Sequence, residues 1–141
     1  MLIGIRSAFK YTATILFVVS ITGCLNYMVD ASASKQFSPL INRCFVAARP
    51  LKIVKHETDR HFIELCPGNS GPGLIQVGSI EAGSKIILRR VTREHIGFYG
   101  DLHHGIVEFE FQGKTVTAEA FTIFLVKGEF APNAKWLIPC T

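Results

Sequence analysis

The stretch 106–120 holds the pattern that most limits how this chain can fold. In 106–111, Val107, Phe109 and Phe111 alternate with Glu108 and Glu110; in 114–120, Val116, Ala118 and Ala120 alternate with Thr115, Thr117 and Glu119. Successive side chains of a strand point to opposite faces, so a period of two predicts two strands, each with one dry and one wet face. Gln112-Gly113 between them suits a two-residue turn. That turn sets Phe109 opposite Val116, Val107 opposite Ala118 and Glu108 opposite Thr117. A turn one residue later would set Glu108 opposite Glu119, and like charges directly across a pair repel. The first register is therefore expected.

Other segments read the same way. Residues 85–91 (Lys-Ile-Ile-Leu-Arg-Arg-Val) are rich in β-branched side chains and follow the turn signal Glu81-Ala-Gly-Ser. The run 121–126 is apolar on both faces and predicts a central strand. Shorter candidates are 44–48, 51–54, 62–65 and Trp136-Leu-Ile. Gly- and Pro-rich clusters separate them, notably Pro67-Gly-Asn-Ser-Gly-Pro-Gly, Gly97, Gly100-Asp101, Gly105 and Pro132-Asn133. The predicted fold is all-β, a small barrel or sandwich of roughly 6–8 short, mostly antiparallel strands.

Composition has to be corrected before it is used. Hydrophobic residues make up 48% of the 141, and the mean hydropathy is +0.30. Much of this lies in one run, Tyr11 to Thr22, which carries no charge and follows Arg6 and Lys10. A basic segment, a short apolar one and then small residues is the layout of a secretory signal, and the run falls short of the ~20 residues a membrane span needs. It ends in Ile21-Thr22-Gly23-Cys24. This tetrad resembles the lipobox of bacterial lipoproteins. The resemblance implies cleavage after Gly23, diacylglycerol on the Cys24 thiol and acylation of the new N-terminus. Two or more acyl chains hold a protein stably on a membrane. Leu25, rather than Asp, follows the cysteine, which in lipoproteins of the enteric type implies the periplasmic face of the outer membrane. Residues 1–23 are thus expected to be signal peptide, 24–38 a small, polar, lipidated tether, and 39–141 the β domain. Arg6 and Lys10 leave with the leader, so 15 basic residues become 13 against 11 acidic ones, and the net charge falls from +4 to +2. A nucleic-acid role loses its electrostatic basis.

Three cysteines remain in an oxidising compartment, so at most one internal bridge can form. Cys44–Cys140 is favoured, because Cys44 opens the first strand, Cys140 is penultimate, and first and last strands of small barrels are often neighbours. Cys66–Cys140 is the rival. Cys44–Cys66 is disfavoured, since a hairpin centred near Thr58 puts Cys66 opposite Pro50.

Four polar groupings invite a functional reading. Gly68-Asn69-Ser70-Gly71-Pro72 resembles the segment around the nucleophile of trypsin-like serine proteases, and His56, Asp59 and Ser70 follow that order. It departs at Pro72, and three residues within 15 positions do not reproduce a site that joins two barrels. His56 and His61, with His103 from another loop, carry metal-binding side chains, although their spacing matches no strong signature. Glu108 and Glu110 share a face, as alternating residues of any wet strand do. Lys85, Arg89 and Arg93 share a face of a regular strand and offer a stripe to anionic lipid headgroups. No cofactor motif is present. The expected function is a lipid-anchored envelope protein that binds or assembles with a partner without catalysis; its partners are the membrane and an envelope protein or anionic lipid, not nucleic acid. The alternatives are a metal-binding protein or metal-dependent hydrolase using His56 and His61, and an inhibitor of an incoming hydrolase such as lysozyme.

Overall fold

The computed structural model describes residues 27–59, 63–68 and 71–141. Eleven strands carry these residues: β1 Tyr27–Asp30, β2 Cys44–Ala47, β3 Leu51–His56, β4 Ile63–Cys66, β5 Leu74–Ile80, β6 Lys85–His95, β7 Asp101–Phe111, β8 Lys114–Ala120, β9 Leu125–Val126, β10 Glu129–Phe130 and β11 Leu137–Pro139. The fold is all-β, as expected, with only three-residue 3-10 turns among the described residues. The contacts fall into two units. The larger comprises 29–93 and 103–141; the smaller includes Tyr27, Met28 and 94–102.

In the larger unit the sheet curls into a half barrel, in the order β11-β2-β6-β7-β8-β4-β3-β5. Its inner face buries Phe45, Leu51, Leu65, Ile86, Leu88, Val107 and Phe124, among others. The β7–β8 hairpin adopts the expected register, with Phe109 opposite Val116, Val107 opposite Ala118 and Glu108 opposite Thr117. Gln112 and Gly113 both have positive φ, 51° and 73°, as a type I′ turn requires. The β3–β4 hairpin turns one residue later than the sequence suggests, so Cys66 faces Lys52 and not Pro50. Cys44 and Cys140 form the disulfide, with Cα atoms 5.4 Å apart. β11 pairs with β2, and the Cys140 N–H donates to the Cys44 carbonyl at 3.0 Å. Cys66 is left as a buried free thiol.

Three expectations need correction. The run 121–126 is not a central strand. Thr122–Phe124 form a 3-10 turn, and Leu125–Val126 pair only with β10. Ile123 and Phe124 are consecutive and both fully buried; a strand would send one of them outward, whereas a helical turn seats both. An apolar run without alternation does not distinguish these cases.

The segment 24–38 is not a free tether from Tyr27 onward. β1 pairs with β6, and the Ala31 N–H donates to the Val91 carbonyl at 2.8 Å. Phe37 is buried against Phe130, with ring centroids 5.3 Å apart. One aromatic side chain docking in the core outweighs the polar composition around it.

β5 had no counterpart among the expected strands. It is the edge strand beyond β3. Ile75 and Val77 are exposed while Gln76 is exposed too, so it lacks the dry–wet alternation that marks β7 and β8.

Candidate functional site

A polar concave surface of the larger unit lies where β4 meets β8. These two strands pair in parallel, with Glu64 beside Glu119. Glu119 also faces Ile106 across the β7–β8 hairpin. The result is an open cleft of about 340 Å³, lined by Asp59, Ile63, Arg90, Ile106, Thr117, Ala118 and Glu119. His104, on β7, brings its Nδ1 to 4.0 Å from Glu119 Oε2, and its ring lies 5.4 Å from that of Phe121.

Beside the cleft, Glu64 is the carboxyl whose titration its surroundings shift. Burial pushes its carboxyl above the ordinary carboxylate range, and the neighbouring Glu119 pushes the same way, while His104 partly opposes them. Two carboxyls held side by side favour retention of a proton, because both cannot ionise without repulsion. The cleft itself presents the Asp59 and Glu119 carboxyls and the Arg90 guanidinium, and Glu64 and His104 adjoin it through Glu119. Burial, then Glu64, raises the pKa of the Cys66 thiol, and its Sγ lies 3.8 Å from the Gly68 carbonyl. A thiol so disposed is a poor nucleophile.

The residues singled out in the sequence are dispersed. His56 Nδ1 lies 2.9 Å from Thr58 Oγ1 in the β3–β4 turn. His103 packs between Phe37 and Phe130, at 4.9 Å and 6.5 Å between centroids. His61 lies outside the described residues, as do Asn69, Ser70 and Cys24. Among the described residues no three His, Cys, Asp or Glu side chains are grouped to hold a metal ion.

The basic stripe is split. Lys85 and Arg89 are exposed on β6, but Arg89 and Arg90 are exposed in succession, which breaks the alternation set by buried Ile86 and Leu88. Val91 is buried next, so Arg93 follows Val91's phase, and its Nε is shielded from solvent. Arg89 is also engaged: its Nε donates to Glu108 Oε1 at 2.7 Å and its Nη1 to Asn42 Oδ1 at 3.0 Å. Glu108 and Glu110 line a shallow groove together with Lys85 and Arg89, so opposite charges meet there. Glu110 accepts from the Thr115 hydroxyl at 2.6 Å.

Glu64, Glu119 and His104 were not singled out together in the sequence. The one local signal is Glu64 itself, a carboxylate set between Ile63 and Leu65-Cys66. Its meeting with Glu119 depends on a pairing between strands 55 positions apart. Compared with protein-family models, with curated proteins and with solved structures, the chain matches none.

Proposed function

We propose that this protein is a bacterial lipoprotein, anchored through acyl chains on Cys24 at the periplasmic face of the outer membrane, whose β domain serves as a non-enzymatic binding or assembly module. The lipobox Ile21-Thr22-Gly23-Cys24 carries the anchor. The observation that supports binding is the β4–β8 cleft. It is open and places Arg90 and Glu119 on one concave surface, which suits a polar segment of a partner protein better than an enclosed apolar ligand. No helix among the described residues is long and apolar enough to cross a membrane, so the lipid supplies the attachment in this reading.

The experiment places a photo-crosslinking amino acid at Thr117, an exposed residue of the cleft, in the full chain in its own envelope. A single repeated adduct, lost on Arg90→Glu, is the expected result. Adducts that do not respond to Arg90→Glu would refute the cleft as the binding surface. Separately, Cys24→Ala is expected to abolish lipidation and membrane attachment.

A second reading is favoured by Glu64. A carboxyl whose pKa is raised by burial and by a neighbouring carboxyl is an arrangement that acid–base hydrolases use. A specific turnover by the purified protein that Glu64→Gln and Glu119→Gln each abolish would replace the first reading with this one.

A further inference from the structure

We propose that the loop between β6 and β7 is a membrane-interface wedge, inserting Phe98 and Tyr99 among phospholipid headgroups beside the lipid anchor. This rests on the lipoprotein reading for the nearness of the bilayer, but it concerns a different part of the chain.

The loop is built to hold two rings outward. Phe98 and Tyr99 are 84% and 95% exposed, two adjacent large rings that together leave a contiguous apolar surface to solvent. Gly97 and Gly100 flank them with φ of 46° and 94°, a backbone that glycine adopts without strain. The loop closes on itself: the Ile96 N–H donates to the Gly100 carbonyl at 2.9 Å, and the Tyr99 N–H to the Ile96 carbonyl at 2.8 Å. Below the loop, His95 Nδ1 lies 2.8 Å from Asp101 Oδ1, tying the two strand ends together. The rings are thus presented from a hydrogen-bonded support, so insertion orders little that is not ordered already.

The same small unit contains the start of the described chain. Tyr27 stacks on His95, with ring centroids 4.9 Å apart and planes 21° from parallel. Tyr27 and Met28 are themselves about half exposed, 48% and 54%. Tyr27 lies only three residue steps from Cys24. At most ~3.6 Å per step, the backbone there reaches roughly 11 Å from the acylated residue. The headgroup layer on each side of a bilayer is itself about 6 Å deep. An anchored Cys24 therefore holds Tyr27 at or just outside the headgroups, and the loop that Tyr27 packs beneath comes with it.

The chemistry identifies which lipid surface fits. The described residues of this unit include Glu94 and Asp101 but no lysine or arginine. Attraction to anionic lipid has no source here. A phenylalanine and a tyrosine, one wholly apolar and the other with a polar tip, suit the interface of a zwitterionic bilayer.

The test uses the full chain, processed and lipidated in cells, then reconstituted in phosphatidylcholine vesicles. Phe98→Trp adds an indole at the tip; the unaltered protein, with Trp136, supplies the background to subtract. The added emission is expected to shift to the blue, and to be quenched when the vesicles carry bromine on shallow acyl carbons. It is expected to resist aqueous iodide, and neither phosphatidylglycerol nor high salt should change these results. Tyr99→Trp repeats the measurement should Phe98→Trp disturb the loop. Added emission that stays open to iodide and untouched by bromolipid, on protein that floats with the vesicles, overturns the wedge and leaves the anchor standing. Shielding from iodide without bromolipid quenching, together with crosslinked dimers, identifies a second copy as the occupant and also overturns it. Cys24→Ala tests the anchor separately: attachment that survives that change sinks the lipoprotein reading, whatever the tip shows.

Discussion

Replacing both bridging cysteines, as Cys44→Ala/Cys140→Ala, should cost this domain a large share of its stability. The bridge spans a sequence separation of 96. In the chain-entropy account, closing a loop of that length removes about 4.7 kcal/mol of freedom from the unfolded chain. The native state has other means of holding the same geometry. Leu137, Ile138 and Pro139 pair with Ala47, Val46 and Phe45, Leu137 is buried, and the Ala48 N–H donates to the Trp136 carbonyl at 2.9 Å. The folded structure should therefore survive, and the loss should act mainly on the unfolded side. A single domain commonly stands only ~5–15 kcal/mol above unfolding, so the variant is expected to be folded but marginal. At a urea slope of about 1–2 kcal/mol per molar, the midpoint should fall by roughly 2–5 M. Hydrogen exchange supplies the second reading: protection should fall throughout the core strands and not in β11 alone. A midpoint lowered by less than ~1 kcal/mol equivalent, with protection lost only from β11 and β2, would refute the reasoning. The bridge would then be a local clip on the C-terminus.

Gly105→Ala should lower stability by about 1–3 kcal/mol, read from thermal or urea unfolding, because overpacking a dense core forces its neighbours to move. A Cβ at that position would lie 3.1 Å from Leu88 Cδ1, 3.1 Å from Phe124 Cδ2 and 3.3 Å from the Ala120 carbonyl oxygen, and an unchanged midpoint would mean the sheet yields there. Glu64→Gln should stabilise the protein near neutral pH and lose that advantage in acid. The folded carboxyl is held above its ordinary value of 4.5, so below that value both states are protonated and the folded state bears no penalty. As pH rises through 4.5 toward the folded value, the unfolded chain ionises first and stability falls. Urea midpoints of parent and variant measured at about pH 4 and about pH 7 check the sign, and a gap that widens in acid would contradict it.

Local chemistry and long-range closure divide the legibility of this molecule. Positions 106–120 carry their own structure: alternation assigns each side chain a face, and Gln112-Gly113 pins the register, so the β7–β8 pairing could be stated residue by residue. The sequence favours Cys44–Cys140 for a related reason but leaves Cys66 a rival partner, and the pairing of β11 with β2 decides between them. The run 121–126 is misleading because its five apolar residues and Thr122 carry no period, and only the packing of Phe124 on Phe45, edge-on at 5.9 Å, goes with a 3-10 turn there. Phe37 belongs to the core and β5 to the sheet for reasons their own neighbourhoods do not display.

The candidate site falls on the far side of that division. What the sequence alone determined is which residues alternate and where the chain turns, and the resemblance of Ile21-Thr22-Gly23-Cys24 to a lipobox is legible there too, since each of these depends on neighbours a few positions apart. The tertiary structure decided that β4 lies parallel to β8, bringing Glu64 against Glu119 with His104 nearby. It also decided that Arg93 leaves the stripe of Lys85 and Arg89, and that Tyr27 packs on His95 under an exposed pair of rings. Which strands become neighbours depends on how a curled sheet covers its apolar face with the chain available, and that free energy is shared over the whole core, not written in any one segment.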